Sequence, residues 1–391
     1  MTVYYPSFEP SVCPLTLITC VRELPFAGEV LVRKGTRVEA DEVVARTLLP
    51  SRGRRFPVAR SMGLSEAQLR RHLVAEDGAE VEAGQVVVQV GRSRQRVWRS
   101  PIAGTFSAGE ADCGYLIVTP PAQPYELRAH IRGFVIQVEP YRSVQIQAPA
   151  ALVRGAFGAG GEQHGVLRAA VTSPDDELLP ETLDERSAFS ILVGGGPAGI
   201  TALNRAVEVQ ARGLIVGSIT EEVLRTFLGY RGDQDWEIGQ AGWAFPPRDT
   251  GRSLPLTLIV TEGVGTWPMN SRAFELLTSH DGAEASLDGQ TWLHGPKTRR
   301  PRVVIPMTRA DPEEVKQTES ADSVKIGADV RLLGADTLGQ VGILVGLPRG
   351  TRPLACGARY HVAEVRLEDG SIVAVPVENI EALGPRRAQS R

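Results

Sequence analysis

Val32-Arg-Lys-Gly-Thr-Arg-Val-Glu-Ala-Asp-Glu-Val-Val44 recurs as Ala75-Glu-Asp-Gly-Ala-Glu-Val-Glu-Ala-Gly-Gln-Val-Val87, which sets Gly35 on Gly78, Val38 on Val81 and Val43-Val44 on Val86-Val87. An internal repeat constrains architecture more firmly than residue propensities do. Each copy reads as a short strand, a glycine turn where positive φ is cheap, and a second strand whose valines line an inward face. A second pair follows. Ser100-Pro-Ile-Ala-Gly-Thr-Phe106 runs on to Gly114-Tyr-Leu-Ile-Val118, and Ala129-His-Ile-Arg-Gly-Phe-Val-Ile136 runs on to Val144-Gln-Ile-Gln147. Between the first two copies, residues 60 to 74 read as a helical insert, with Ser65 as N-cap and Leu64, Leu69 and Leu73 on one face.

The G-x-x-V pattern, followed by Ser-Pro-Ile-Ala-Gly-Thr-Phe, resembles the biotinyl/lipoyl-type barrel-sandwich hybrid over about residues 24 to 148. The resemblance implies an N-terminal barrel-sandwich module over residues 1 to 150. Carriers of that family need a lysine at an exposed hairpin tip, because only a primary amine forms the amide to biotin or lipoate. Lys34 reads as preceding the first glycine turn, so no covalent biotin or lipoate is expected. A packing or docking module is expected instead.

Downstream, residues 151 to 188 read as a Gly-rich segment and an acidic, Pro-broken linker. Apolar strands then alternate with helices over residues 189 to 307: strands at Ser190–Val193, Gly213–Val216, Leu256–Val260 and Val303–Ile305, helices at Ile200–Ala211, Thr220–Leu228 and Ser271–Leu277. That alternation predicts a central parallel α/β sheet. After a second linker at residues 308 to 323, residues 324 to 384 are all strand, with Asp369-Gly370 as a hairpin turn, before a tail at 385 to 391. Gly327, Gly339, Gly342 and Val375-Pro-Val-Glu-Asn-Ile380 resemble a KOW-type SH3-like β-barrel. The predicted fold class is therefore multidomain α/β plus all-β.

Across the 391 residues, 43 basic side chains nearly balance 46 acidic ones, which removes the whole-chain basic excess of a phosphate-tracking protein. Only four of the basic residues are lysines. Cys13, Cys20, Cys113 and Cys356 lack metal-ligand spacing, and the six histidines are isolated from one another, so no metal site is expected. The start of the chain does not read as a secretory signal, and nowhere do 18 apolar residues run together. A cytoplasmic, non-spanning protein is expected.

The loudest motif is Val193-Gly-Gly-Gly-Pro-Ala-Gly199, a G-x-G-x-x-G between strand and helix that resembles flavoprotein openings. Gly194 would make the tight turn, Gly196 admit a pyrophosphate and Gly199 let the helix pack. The following strand ends in Gly217-Ser218 instead of the ribose-binding acid, so no cofactor is predicted and a nucleotide or flavin is the secondary reading. Gly194, Gly196, Gly199, Ser218, Glu262 and Gly263 lie where carboxyl ends of successive strands would converge, and form the first candidate ligand face. The plainer alternative makes Glu262 an exposed turn residue. Glu162 and His164, in the Gly cluster 155 to 165, form a second candidate cluster without a nucleophile. No catalytic residue is assigned. The stretch Gly229 to Ser253, with Trp236 and Trp243, reads as a lid or a partner contact.

Three functions compete. The first is a non-catalytic scaffold or accessory subunit docking protein partners, or itself, through its β modules. The second is a subunit binding a small phosphate-bearing ligand at the Gly face, as in a redox assembly. The third is nucleic-acid binding through the C-terminal barrel, using Arg331, Arg349, Arg352, Arg359 and Arg366 with Tyr360.

Overall fold

The computed structural model describes residues 11–91, 96–109, 113–230, 254–291, 299–307, 325–333, 337–347, 350–353 and 359–383. Most of the Trp-bearing stretch 229 to 253, the linker 308 to 323 and the tail 385 to 391 lie outside them.

The repeat is a structural duplication. Gly35 and Gly78 take φ of 88° and 85°, and a Cβ at either would meet nothing within 4 Å. Their N–H groups donate to the carbonyls of Val135 and Phe106 at 2.7 and 2.8 Å, and Val135 and Phe106 donate back to Thr36 and Ala79. The short strands Arg37–Val38 and Glu80–Val81 pair antiparallel with Gly133–Glu139 and Gly104–Ser107, Val38 opposite Gly133 and Val81 opposite Gly104. Two small cores result. One gathers Val38, Val44, Ile131, Val135 and Ile146; the other gathers Val81, Val87, Phe106, Leu116 and Val118 with the insert's Val58, Met62 and Leu69. The insert is two short helices, Val58–Met62 and Glu66–Arg71, and Ser65 caps the second through a capping box with Gln68. Lys34 is exposed in the turn closed by Thr36 N–H on Arg33 O at 3.1 Å. It occupies the turn itself, where the sequence placed it before the turn.

A long antiparallel ribbon, Val12–Glu23 with Ser143–Arg154, ties this part to the centre of the molecule. Half of Ser143–Arg154 pairs with Gly133–Glu139 and the other half with Arg302–Pro306. The boundary expected at residue 150 thus falls inside one continuous strand.

The central sheet is mixed, which corrects the parallel sheet expected from the sequence. Glu162–Ala169, Ser190–Val193, Gly213–Ile219 and Thr257–Val264 run parallel in that order. Glu284–Asp288 and Arg302–Pro306 continue the sheet antiparallel beyond Glu162–Ala169, and Phe157–Ala159 closes the other edge antiparallel. Both faces are covered, so parallel and antiparallel strands alike become apolar runs and composition cannot report direction. Helices Ile200–Glu208 and Glu221–Leu228 pack one face through Ala202, Leu203, Ala206, Leu224 and Leu228. Helix Ser271–Ser279 packs the other through Ala273, Phe274 and Leu277. The segment expected as an acidic linker also joins this core: Leu178 and Leu183 are buried under the first pair of helices, around two single turns of 3-10 helix.

Six strands between residues 329 and 382 form a curled antiparallel sheet with its own core of Val330, Leu332, Leu344, Val365 and Ile380. The Asp369-Gly370 hairpin is present, with Gly370 at φ 82° and Asp369 Oδ1 accepting from Ser371 N–H at 2.8 Å.

Candidate functional site

The Gly-rich loops do meet at the carboxyl ends of the parallel strands, and there they hold the chain's own backbone. Gly194 N–H donates to Ile215 O at 2.8 Å, Gly196 N–H to Asp176 O at 2.7 Å, and Ala198 N–H to Ser218 O at 3.3 Å. Gly195 O accepts from Gly217 N–H and Met269 N–H at 3.1 and 3.0 Å. A Cβ on Gly195 would stand 2.3 Å from Ser173 O, and one on Gly217 would stand 2.5 Å from Met269 N. These glycines are needed because four backbone segments stack at contact distance. Ser218 is buried and donates its hydroxyl to Trp267 O at 2.8 Å. Gly199 caps helix Ile200–Glu208 at an ordinary φ of −82°, and a Cβ there would lie 3.9 Å from Glu177 Oε1. The donors a pyrophosphate would need at Gly194, Gly196 and Ala198 are already engaged, and residues 173 to 176 lie over the loop.

Glu262 and Gly263 serve a junction. Glu262 Oε1 accepts from Asn270 N–H at 3.0 Å, and Oε2 accepts from Arg331 of the C-terminal sheet. Gly263, at φ 113°, would place a Cβ 2.7 Å from Gly339 Cα. Arg331 also faces Glu381 at 3.5 Å, and Glu381 accepts from Arg300 at 2.9 Å. Burial works to raise the Glu381 carboxyl, but the charges of Arg300 and Arg331 outweigh it and leave it below the ordinary range. Glu262 is therefore the outer end of a buried ionic chain, and the exposed-turn alternative does not hold.

The second cluster proves to be part of a larger polar seam where the N-terminal module lies against the central sheet. Glu162, Asp288 and Arg302 stand directly opposite one another on three adjacent strands. From the module side, Arg22 makes a two-pronged ion pair with Glu162 at 2.6 and 2.8 Å and donates its Nε to Arg128 O. Asp288 pairs with Arg299 at 2.7 Å and lies 3.8 Å from Arg302 Nε. Cys20 Sγ is 3.9 Å from Arg302 Nη2. Burial pushes the Cys20 thiol up, against the lowering pull of Arg302 and Arg22. His130, in the left-handed region at φ 69°, is buried, and its carbonyl accepts from Ser286. Burial pushes His130 down to about 4. Burial works to raise Glu162, but its bonds to Arg22 and the Arg22 charge outweigh this and hold it low. His164, two residues along the same strand face as Glu162, is shifted down by partial burial and by Arg212.

The two candidate sets are not brought together. The sequence missed Cys20, Arg22, His130, Asp288 and Arg302, which come from four separate segments with no shared spacing; the only available signal was the preference for arginine over lysine. Among the described residues no group of His, Cys, Asp and Glu could hold a metal ion, and no helix is long and apolar enough to cross a membrane. Neither a scan against protein-family models nor a search of curated proteins found a match for this chain.

Proposed function

We propose that this protein is a non-catalytic accessory subunit of the cytoplasm, a scaffold of biotinyl/lipoyl-like and KOW-like β modules about a small α/β core. The observation that carries the reading is the outward face of the ribbon. Leu17, Val21 and Phe134 are 42%, 56% and 53% exposed there. Phe134 stands opposite Gln147, which stands opposite Thr19, with Leu17 and Val21 two residues to either side. Gln145 and Pro149 continue the patch, and charge begins at its margin, with Arg37 opposite Phe134 and Glu23 beyond Val21. Exposed apolar groups within a polar and charged rim characterise protein interfaces. Helix Ser271–Ser279 already covers the far half of the same ribbon, against Ala151 and Val153. The occupant we assign to the bare half is a surface of a different protein chain with an apolar centre.

The nucleotide reading loses its support because the Gly loop is filled from within. The nucleic-acid reading loses Arg331 to the buried ionic chain, while Arg352 pairs with Glu364 at 2.8 Å and Arg359 bonds Thr351. The test is affinity purification of the full chain from its host at native expression, with stoichiometry read by native mass spectrometry. One stoichiometric partner that Val21→Glu/Phe134→Glu releases supports docking here; a partner-free monomer argues against it.

A further inference from the structure

The two copies of the duplication have diverged in charge. Around the first copy, Arg37, Arg46, Arg128, Arg132 and Arg142 each face a glutamate at 2.7 to 3.8 Å. Around the second, Arg54, Arg60, Arg71 and Arg96 are exposed, and none pairs with a carboxylate among the described residues. They stand on Arg54–Phe56, Val58–Met62, Glu66–Arg71 and Arg96–Arg99, elements whose one acid is Glu66, at the start of the second helix. Glu80 lies on the opposite edge of the four-stranded sheet from Arg54–Phe56. Three strand spacings put about 14 Å between those edges.

Packing gathers the four arginines. Phe56 and Trp98 are half-buried, with ring centroids 5.6 Å apart. Arg54 is two residues from Phe56 and Arg96 two from Trp98, so each shares its ring's side of the strand, about 7 Å along it. Arg96 donates Nη1 to Met62 O at 3.0 Å, which sets it against the end of the first helix, two residues from Arg60. The second helix ends beside the same hairpin, because Gln89 N–H donates to His72 O at 3.0 Å and Gln89 stands opposite Val97. Arg71 directly precedes His72.

Four unpaired guanidinium groups thus surround an aromatic pair. Their mutual repulsion is relieved by a polyanion. Guanidinium forks fit phosphate oxygens two at a time, and bases stack on aromatic rings and on guanidinium planes. An acidic peptide would use the charges and leave the rings idle.

We propose that this face of the second copy binds single-stranded nucleic acid, with phosphates on Arg54, Arg60, Arg71 and Arg96 and a base against Phe56 and Trp98. The site uses neither the docking face of the ribbon nor the C-terminal sheet.

Fluorescence anisotropy of the full chain with labelled oligo(dT) of about twelve nucleotides tests it. Binding is expected to weaken with salt at a log–log slope of about −3, as for four phosphate contacts. Arg54→Gln/Arg96→Gln should shrink that slope by about 1.4, and so should Arg60→Gln/Arg71→Gln. Phe56→Leu should weaken binding about fivefold or more through lost stacking. Arg37→Gln/Arg132→Gln in the first copy should bind as the unaltered chain does. So should Val21→Glu/Phe134→Glu, which leaves this proposal standing if the docking proposal fails. No binding at low salt would overturn the proposal, as would undiminished binding by both arginine pairs of the second copy or by Phe56→Leu, all folded by circular dichroism. An equal loss in the first-copy pair would overturn it too. Displacement by polyglutamate as effective, charge for charge, as that by unlabelled oligo(dT) would make the occupant an acidic protein segment and overturn it as well.

Discussion

Gly195 is required for lack of space, not for rotation, and this separates it from the glycines of the repeat. Gly195→Ala drives a methyl into Ser173 O, so overpacking should cost about 1–3 kcal/mol. Gly78→Ala meets no atom and should cost only the left-handed backbone, about 1 kcal/mol. Urea denaturation of the full chain compares them, and a smaller loss at Gly195 would refute the backbone stacking described. At His130 the argument concerns protons. A group at about 4 when folded and near 6.5 when free binds its proton more readily in the unfolded chain. Its stabilising effect is whole above the unfolded value and is lost as pH falls from about 6.5 through 4, by up to about 3 kcal/mol. Glu162 and Glu381, held low by their arginines, lose their share in the same direction at more acid pH. His130→Gln should flatten the stability profile between pH 6.5 and 4; an unchanged slope would show that His130 is not buried neutral.

Among elements, the ionic chain from Glu262 through Arg331 and Glu381 to Arg300 fastens the C-terminal sheet to the central one. Glu381→Ala leaves Arg300 and Arg331 buried without their shared carboxylate and should cost about 3–5 kcal/mol. Glu29→Ala, which breaks only the exposed pair with Arg46, should cost less than about 1 kcal/mol. Equal losses in thermal unfolding would contradict the junction. The segment 172 to 188 read as a linker because Pro, Asp and Glu dominate it, yet Leu178 and Leu183 reach the core. Leu178→Ala should therefore cost about 2–5 kcal/mol, and the intact chain should resist brief proteolysis there; cleavage at that segment in folded protein would restore the linker reading. The helices at residues 200, 221 and 271 were legible because caps and apolar spacing are local. Strand direction and the strand Glu162–Ala169 were not, since buried runs look alike in either direction and a Gly-rich, half-polar strand resembles a loop.

At the scale of the whole molecule, the duplication was the legible part: the repeated glycines and valines recur in equivalent bonds. The seam and the ionic chain were illegible because ion pairs across 140 and 69 positions of sequence leave no pattern in it. The arginine preference gains a physical reason from them. Arg22, Arg300 and Arg331 each direct several fixed N–H groups at more than one acceptor, which a lysine ammonium does not reproduce. The docking surface proposed for another protein is the apolar patch of Leu17, Val21 and Phe134. The most direct measurement is native mass spectrometry of the chain purified from its host beside the Val21→Glu/Phe134→Glu variant. The account predicts a stoichiometric heteromeric complex that the variant loses while remaining folded. A partner-free monomer, or a complex the variant keeps intact, would contradict it.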